Sequence, residues 1–550
     1  MKTTADADEL VYLPLGGAGE IGMNLNLYGF GPPRDRKWLM VDLGIGFGDE
    51  TVPGVDVVMP DITFIEEHRK NLVGLVLTHA HEDHIGAVPW LWNRLRCPIY
   101  ATPFTAAVLN AKLAEDGDAS DARIRVLALS TRQKIGPFDV ELISLTHSIP
   151  EPNAVAIRTP LGTILNTGDW KIDPTPLIGT ATDEAALRRL GDEGVLAMTC
   201  DSTNVFVPGR SGSEDDVRKA LIPVVRECRG RVAVTAFASN VARLRSIIAA
   251  ARAARRHVAL VGRSMHRITN AARETGYLDI DAELIDAEKA GYLPPDRVLY
   301  LCTGSQGEPG SAMQRIAAGE HRDVVLEKGD TVIFSSRVIP GNEKTVFALQ
   351  NALAARDVEI ITDQDHNVHV SGHPARDELA DMYRWVRPRI AIPVHGEMRH
   401  LHEHARLART LQVPETLIAG NGAMIRLAPG KPEQVDEVPF GRLHRDGALV
   451  LPAHESGAKA RRSMSFAGFI AITLVIDRKN KLAADPALIA EGVPEKLLAG
   501  LQEAATDAVS HLRRLDDDGE TAETVRRAVR RAAQADWGKR PVVRVEVIRI

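Results

Sequence analysis

The chain has 550 residues, of which 44% are hydrophobic and 25% charged, and this length predicts about three or four folded domains. It contains no run of ~18 apolar residues, which excludes a membrane-spanning helix. Its net charge of -6 excludes a general attraction to nucleic acid, so a polyanionic partner would need a local basic groove or bound cations. The acidic N-terminal segment does not resemble a signal peptide, and the widely spaced cysteines argue against a disulfide framework, so we expect a cytoplasmic protein.

The first motif along the chain is a glycine-rich segment that follows a predicted strand at Val11–Leu15. Gly17, Gly19 and Gly22 have the spacing of a dinucleotide-binding motif. That motif requires a helix directly after it, because the pyrophosphate binds at the helix N-terminus. Here the alternating residues 23–28 predict a second strand instead. We therefore interpret the glycines as a turn between two strands, and nucleotide binding as the less favoured alternative.

The most informative segment is a histidine-rich loop, predicted to connect a strand at 72–77 to a helix at 85–95. Its possible metal ligands are His79, His81, Asp83 and His84. Because the loop follows an apolar strand, it should lie at the carboxyl end of a sheet strand, where α/β proteins place their chemistry. The first two histidines alternate and can face one ion, and the Asp-His pair can supply a second. Imidazole favours zinc, and a mixed histidine and carboxylate set also accepts manganese or iron.

Four further polar residues of the ligand type end predicted strands. They are Asp42 after 38–41, His147 after 140–145, Asp169 after 162–165, and Asp201 after 196–199. A single residue of this kind is more often a turn former. The repetition of the pattern after the histidine-rich loop predicts that these side chains meet at one edge of a sheet.

From about residue 205 the pattern changes to a regular alternation of strands and helices, which predicts an inserted parallel α/β domain. The ligand pattern then returns in residues 365–373 and at His395, which follows a predicted strand at 390–394. The first domain is therefore interrupted by the second and completed after it. A smaller module follows, with a strand at 466–476, helices at 495–512 and 520–535, and a strand at 542–550. The predicted ranges are 1–204 and 367–429 for the first domain, 205–366 for the insert, 430–460 for a linker and 461–550 for the C-terminal domain.

These motifs resemble known families. The histidine-rich loop, with His147 and Asp169, resembles the signature of the metallo-β-lactamase superfamily, and the insert resembles that of its β-CASP subgroup of nucleases. Within that subgroup the chain is similar to bacterial ribonuclease J. The matching stretches are 15–22, 303–309, 339–343 and 393–397. The resemblance implies an α/β fold: a metallo-β-lactamase αββα sandwich interrupted by a parallel α/β β-CASP domain, with a small α+β C-terminal domain.

The resemblance also implies a site with two divalent metal ions, zinc first and manganese as the alternative. One ion would be held by His79, His81 and His147, and the second by Asp83, His84 and His395, with Asp169 bridging them. Asp42 would orient a ligand histidine. Asp201 and His373 would complete the site from the edge that faces the insert.

For catalysis the resemblance implies roles for Asp83, Asp201 and His373, and the last would protonate the leaving 3′-oxygen or stabilise the phosphate. The residues that would bind substrate phosphate are His369, Val370, Ser371, Gly372 and His373. Relatives commonly have a small residue and then a serine after that histidine. This chain has Pro374 and Ala375 there, so one hydroxyl donor to phosphate is missing.

The implied function is hydrolysis of phosphodiester bonds in single-stranded RNA, by a hydroxide generated between two metals. The enzyme would act as a 5′-to-3′ exonuclease, an endonuclease or both, in RNA maturation and decay, and would form dimers or tetramers through its C-terminal domain. A β-CASP DNA nuclease is one alternative, because nothing in the sequence reports on the 2′-hydroxyl. A small-molecule hydrolase of the same superfamily is another, although it would not need the insert. A non-catalytic RNA-binding subunit would be expected to have lost ligands, and none is lost.

Overall fold

The computed structural model describes residues 7–116, 121–279, 284–512 and 516–550. Residues 1–6, which form part of the acidic N-terminal segment that does not resemble a signal peptide, lie outside the described residues. The chain divides into two compact units, Met1–Gly46 with Met59–Gly441 and Phe47–Val58 with Arg442–Ile550. Within the described ranges, no helix is both long enough and apolar enough to cross a membrane.

Two large sheets form the framework of the first unit. The first sheet has the strand order Glu433–Glu437, Ala423–Ala428, Glu9–Gly16, Leu25–Gly31, Lys37–Val41, Leu72–Val76, Ile99–Ala101, Ile124–Val126. The second has the order Arg132–Ile135, Phe138–Ser144, Asn153–Thr159, Gly162–Asn166, Ala197–Asp201, Ile390–Val394, Glu415–Thr416. A third, two-stranded pairing joins Ala18–Gly19 to Gly396–Glu397. The glycine-rich segment is therefore a turn between strands, as its sequence predicts.

The main core lies between the two sheets. Val41 and Val76 of the first sheet pack in one cluster with Val155 and Ile157 of the second. The other face of the second sheet is covered by helices Glu184–Glu193, Arg376–Val386 and Met398–Thr410. Helices Thr63–Glu67, Val88–Leu95 and Pro103–Asp116 accompany the first sheet. The layers are thus helix, sheet, sheet, helix. Both faces of each sheet are covered, and most residues of the central strands are therefore buried.

The insert contains a parallel sheet, as predicted. Its strand order is Leu284–Ile285, His257–Val261, Val298–Cys302, Val232–Thr235, Thr331–Phe334, Glu359–Ile361. Its helices are Glu214–Glu227, Val241–Ala253, Arg263–Glu274, Ala287–Ala290, Ala312–Ala318 and Glu343–Ala354, with a 3-10 turn at Pro295–Arg297. Ser213 caps the first helix by accepting a hydrogen bond from the backbone of Asp215 at 3.1 Å. The strands come from segments rich in valine, isoleucine and leucine, which suit a sheet covered on both faces.

The second unit contains a three-stranded sheet in the order Ala487–Glu491, Phe469–Ile476, Val542–Arg549. Its helices are Ala458–Ala467, Leu498–Ser510 and Asp518–Trp537, with a 3-10 turn at Glu495–Leu497. Ile472 and Leu474 of the sheet pack against Val525 and Val529 of the longest helix. A further antiparallel pairing in this unit joins Arg442–Asp446 to Leu449–Pro452.

For two predicted elements, the difference between the predicted and the observed bounds has a clear local cause. The strand predicted at 466–476 begins at Phe469, because Phe466 and Ala467 end a helix and Gly468, with φ of 74°, breaks it. The helix predicted at 85–95 is two helices, Glu82–Ile85 and Val88–Leu95. The helical conformation is interrupted at Gly86 and Ala87. Pro89 then occupies the first turn of the second helix, where proline is tolerated.

Candidate metal centre

The histidine-rich loop leaves the buried strand Leu72–Val76 and ends where the short helix Glu82–Ile85 begins. His81 is the N-cap residue of that helix and has an extended backbone. The turn of the chain at this point places the ring centroids of His79 and His81 4.8 Å apart. The alternating histidines therefore face the same space, at the carboxyl end of the strand.

The first group of possible ligands consists of His79, His81, His147 and Asp169, whose ligand atoms lie within 4.8 Å of one another. Nδ1 of His81 is 3.0 Å from Nε2 of His79 and 3.1 Å from Nε2 of His147. One ring nitrogen cannot donate a single proton to two neighbours. The donor set therefore fits a divalent cation, because a cation can accept one lone pair from each of the three nitrogens.

The second group consists of Asp83, His84, Asp169 and His395. Oδ2 of Asp169 lies 3.2 Å from Nε2 of His84 and 3.2 Å from Nε2 of His395. Oδ2 of Asp83 lies 3.5 Å from the first of these nitrogens and 3.7 Å from the second. Asp169 belongs to both groups, so one carboxylate lies between two neighbouring sets of donors.

Three of the histidines are oriented by hydrogen bonds at Nδ1, which leaves Nε2 directed at the donor groups. His84 bonds to Oδ2 of Asp42 at 2.7 Å, and His147 bonds to the carbonyl oxygen of Gly372 at 2.5 Å. His395 lies 3.1 Å from the side-chain oxygen of Asn24. These contacts fix the ring orientations from three separate parts of the chain.

Burial keeps the first group of histidines neutral. It lowers the pKa of His79 and of His147 well below the usual histidine value, and the neighbouring imidazoles lower both further. Burial likewise lowers the pKa of His81 to about 4. A neutral imidazole is the form that binds metal ions.

The carboxylates of the site stay ionised. Burial alone would raise the pKa of Asp83, but the facing imidazole of His84 lowers it below the usual aspartate value. The pKa of Asp169 is also lowered, because His395 and His84 outweigh the effect of its burial. Burial would lower the pKa of His84 and of His395, but the carboxylate of Asp169 raises both, so a divalent cation bound by these two rings would displace a proton from them.

Asp201 and His373 form a pair at the edge of the same site. Nδ1 of His373 lies 2.8 Å from Oδ2 of Asp201 and 3.9 Å from Oδ2 of Asp169. Burial alone would lower the pKa of His373, but the adjacent carboxylate of Asp201 raises it to about 9. This imidazole is therefore protonated at neutral pH, unlike those of the first group.

The predicted phosphate-binding loop, residues 369–373, borders this pair. The amide of Asn204 donates to the Ser371 hydroxyl at 2.8 Å and to the backbone oxygen of His373 at 3.1 Å. A Cβ added at Gly372 would meet Cε1 of His147 at 2.8 Å, so only glycine fits there. Val370 is buried, and the imidazole of His369 lies 3.4 Å from the guanidinium of Arg243. The loop is thus packed directly against the first donor group.

At the departure noted in the sequence, Ala375 precedes helix Arg376–Val386 and has no side-chain group for capping. The buried carboxylate of Glu378 instead accepts a hydrogen bond from the Ala375 backbone at 2.8 Å. It also accepts from the hydroxyl of Ser211 at 2.7 Å. The start of the helix is therefore held without the hydroxyl.

The structure brings together all of the ligand residues predicted from the sequence. It also shows three supporting residues that the sequence does not predict. Asn24 lies 3.0 Å from Nε2 of His84, donates to the backbone oxygen of Asp83 at 3.0 Å and contacts His395. Asn204 holds the phosphate-binding loop, and Arg243 contacts His369 of the same loop from the insert. Each is remote in sequence from its partners, so no local pattern could identify it.

Comparison with protein families gives four matches along the chain. They are "Metallo-beta-lactamase superfamily" at residues 30–185, "Ribonuclease J, beta-CASP domain" at 229–353, "Zn-dependent metallo-hydrolase RNA specificity domain" at 357–416 and "Ribonuclease J C-terminal domain" at 458–550. They confirm the predicted fold class, an αββα sandwich interrupted by a β-CASP domain and followed by a small C-terminal domain. Together with the clustered histidines and aspartates, they indicate a divalent metal site.

Curated relatives cover almost the whole chain. Ribonuclease J of Sinorhizobium meliloti is 46% identical over 99% of this chain and 98% of its own length. Ribonuclease J of Thermus thermophilus is 40% identical over 85% and 82%. A solved structure of a protein of unknown function from Enterococcus faecalis is 17% identical, with a TM-score of 0.54 over 76% of this chain and 100% of that one, and it supports the fold alone. By its family matches and its full-length relatives, the chain belongs to the ribonuclease J family.

Proposed function

We propose that this chain is a metal-dependent ribonuclease that hydrolyses phosphodiester bonds in single-stranded RNA. The observation that carries the proposal is the pair of donor groups that share Asp169 beside the loop at 369–373. The family matches support RNA as the substrate, since one of them is described as an RNA specificity domain. A small-molecule hydrolase and a DNA nuclease are not favoured, because the similarity to ribonuclease J of Sinorhizobium meliloti extends over 99% of this chain and 98% of that protein.

We propose two divalent ions per chain, zinc first and manganese as the alternative. Their ligands would be His79, His81 and His147 for one ion, Asp83, His84 and His395 for the other, and Asp169 for both. When bound, such ions acidify water and neutralise the charge that develops on phosphate oxygens. The lowered pKa values of the first group of histidines and the shared carboxylate support this assignment.

The chain's own residues would then position the substrate and move protons. Ser371 and the backbone around Gly372 would hold a phosphate, because the Ser371 hydroxyl is oriented by Asn204 and remains able to donate. The Oδ2 atom of Asp83 would accept a hydrogen bond from the attacking water. His373 would give its Nε2 proton to the leaving 3′-oxygen, since its Nδ1 atom is engaged by Asp201 and its pKa of about 9 keeps the ring protonated.

The test is a comparison of labelled single-stranded RNA, the matching DNA and a generic ester, each with and without a chelator. We expect cleavage of the RNA only, and only with metal present. The double variant His81→Ala with Asp83→Ala should bind RNA and not cleave it. Retained cleavage by this variant in metal-free buffer would refute the proposal.

The direction of cleavage is tested by comparing 5′-triphosphate, 5′-monophosphate and 5′-hydroxyl RNAs. We propose 5′-to-3′ exonuclease action, endonuclease action or both, as part of RNA maturation and decay. Release of single nucleotides from the first time point would identify exonuclease action, and internal fragments would identify endonuclease action.

We also propose a cytoplasmic enzyme that forms dimers or tetramers through residues 461–550. The described cysteines Cys97, Cys200, Cys228 and Cys302 are free thiols, which supports a reducing compartment. Ile489 is 68% exposed on the C-terminal sheet and Ile548 42%, which supports self-association. Light scattering of the full chain and of Ile489→Glu tests the assembly. The domain ranges given above remain our proposal.

A further inference from the structure

An exposed aromatic ring lies at the border of the candidate metal centre. Phe206 is 50% exposed and belongs to the segment that begins at Asp201. Single exposed apolar side chains are common, and exposure alone leads to no conclusion. The contacts of this ring and the position of its neighbours in the chain are more informative.

The ring is held by the helix that follows His395. The imidazole of His400 lies 5.3 Å from the ring of Phe206, with an interplanar angle of 64°. The guanidinium carbon of Arg399 lies 5.8 Å from the centre of the same ring. Both residues belong to helix Met398–Thr410, which begins three residues after His395. Phe206 is therefore attached to the site by two separate stretches of chain.

The backbone on both sides of Phe206 is fixed. The amide of Val205 donates to the oxygen of Ser202 at 3.1 Å, and that of Val207 donates to the oxygen of Asn204 at 2.8 Å. The oxygen of Val205 also accepts a hydrogen bond from Arg376 at 3.1 Å. Because the backbone is already ordered, a ligand that stacks on the ring loses little conformational entropy in binding.

The same segment contacts the phosphate-binding loop. Asn204, two residues before Phe206, donates to Ser371 and to the backbone of His373. A phosphate held at that loop would therefore place the bases of its neighbouring nucleotides close to the ring. The charge of Arg399 is partly offset by Glu397, whose carboxylate accepts from it at 3.0 Å.

We propose that Phe206, supported by His400 and Arg399, is a stacking platform for one base of the single-stranded RNA. The inference rests on the proposed ribonuclease function and adds a base-binding residue to it. Bases of any sequence stack on an aromatic ring, because each has a flat π-face. An aliphatic side chain of similar size can pack against His400 but cannot stack in this way, and this difference separates a binding role from a structural one.

The first experiment measures kcat/KM of the full chain on 5′-monophosphorylated single-stranded RNA. Phe206→Leu should lower kcat/KM about ten-fold, whereas Phe206→Trp should keep it close to the unsubstituted value. Tyr292→Ala is the matched control, since Tyr292 is an 84% exposed aromatic residue. Tyr292 precedes the amino end of strand Val298–Cys302. The residue directly before the phosphate-binding loop, Val368, instead accepts a hydrogen bond from Ser335 at the carboxyl end of the inserted sheet. Unchanged kcat/KM for Phe206→Leu would overturn the proposal.

The second experiment removes the base instead of the ring. RNAs with a single abasic nucleotide at each successive position are given to the unsubstituted protein and to Phe206→Leu. At one position, the abasic nucleotide should lower kcat/KM of the unsubstituted protein by about the same factor as the Phe206→Leu substitution does. At that position it should not lower kcat/KM of Phe206→Leu any further. Losses that multiply at every position would overturn the stacking role. Failure of the unsubstituted protein to cleave RNA would overturn the proposed function itself, which makes the two failures distinguishable.

Discussion

His147 donates its Nδ1 proton to the backbone oxygen of Gly372, 2.5 Å away, although the two residues are separated by the whole insert. This hydrogen bond joins a candidate metal ligand to the loop that we propose binds phosphate. A shift of the loop therefore rotates the imidazole, and a shift of the imidazole moves the loop.

Gly372→Ala should disrupt both partners. The added Cβ would lie 2.8 Å from Cε1 of His147 and 2.7 Å from the hydroxyl of Ser148, so the ring or the loop must move. A displacement of about 1 Å in an active site can cost about 100-fold in rate, and we expect a loss of that order in kcat together with a lower metal content. Gly420→Ala is the control, since a Cβ there meets nothing within 4 Å. Equal activity of the two variants would contradict the coupling.

Asp42→Asn should weaken metal binding without removing any ligand. Asp42 accepts a hydrogen bond from Nδ1 of His84 at 2.7 Å and from the backbone of Thr78 at 2.8 Å. An amide can present its NH2 group to the ring and so favour the wrong tautomer, which costs about 10- to 100-fold in metal affinity. Asparagine tolerates the positive φ of 66° at this position. Metal titration of the variant measures the effect, and an affinity equal to that of the unsubstituted protein would rule out the orienting role.

The pH dependence of kcat should report His373. The carboxylate of Asp201 raises the pKa of this ring to about 9, so the ring is protonated below that pH and loses its proton above it. A general acid is active only when protonated, and kcat should therefore fall as the pH rises through about 9. Asp201→Asn removes the charge and should move this fall toward the usual histidine pKa of about 6.5.

The control for this profile is Asp192→Asn, because the Asp192 side chain is 76% exposed. It should leave the pH profile unchanged. A basic limb that stays in place in Asp201→Asn would show that another group titrates there.

The buried pair of Glu214 and Arg243 should matter for stability. Their side chains are 3% and 1% exposed and are joined by a 2.9 Å contact. Arg243→Met leaves the carboxylate without its partner, which costs about 3–5 kcal/mol, and the further change Glu214→Gln should recover part of that loss. The midpoint of the first transition in urea-induced unfolding measures this change in stability.

Arg188→Met serves as the comparison for this pair. Arg188 is 51% exposed and pairs with Glu184 at 2.6 Å on the surface of a helix. Loss of an exposed pair costs at most about 1 kcal/mol. Similar losses for Arg188→Met and Arg243→Met would contradict the distinction between the two pairs.

Each predicted ligand of the donor groups has a local signal in the sequence, because it lies in a loop that follows a predicted strand. His79 follows strand Leu72–Val76, which is buried except for the partly exposed Val73, and Asp169 follows strand Gly162–Asn166, whose last three residues are buried. Asn24, Asn204 and Arg243 have no such signal, since their partners lie far along the chain and are reached only through the fold. The sequence also places the start of strand Phe469–Ile476 too early, because Phe466 is apolar enough for a strand although it belongs to the preceding helix, which ends at Gly468.

The candidate ligands lie on both sides of the insert, from His79 to His395. During synthesis the early ligands leave the ribosome long before the last one, and domains fold as their residues emerge. A nascent chain that has not yet reached His395 therefore lacks one donor of the second group. The complete set of candidate ligands is thus assembled only after the whole insert has been synthesised.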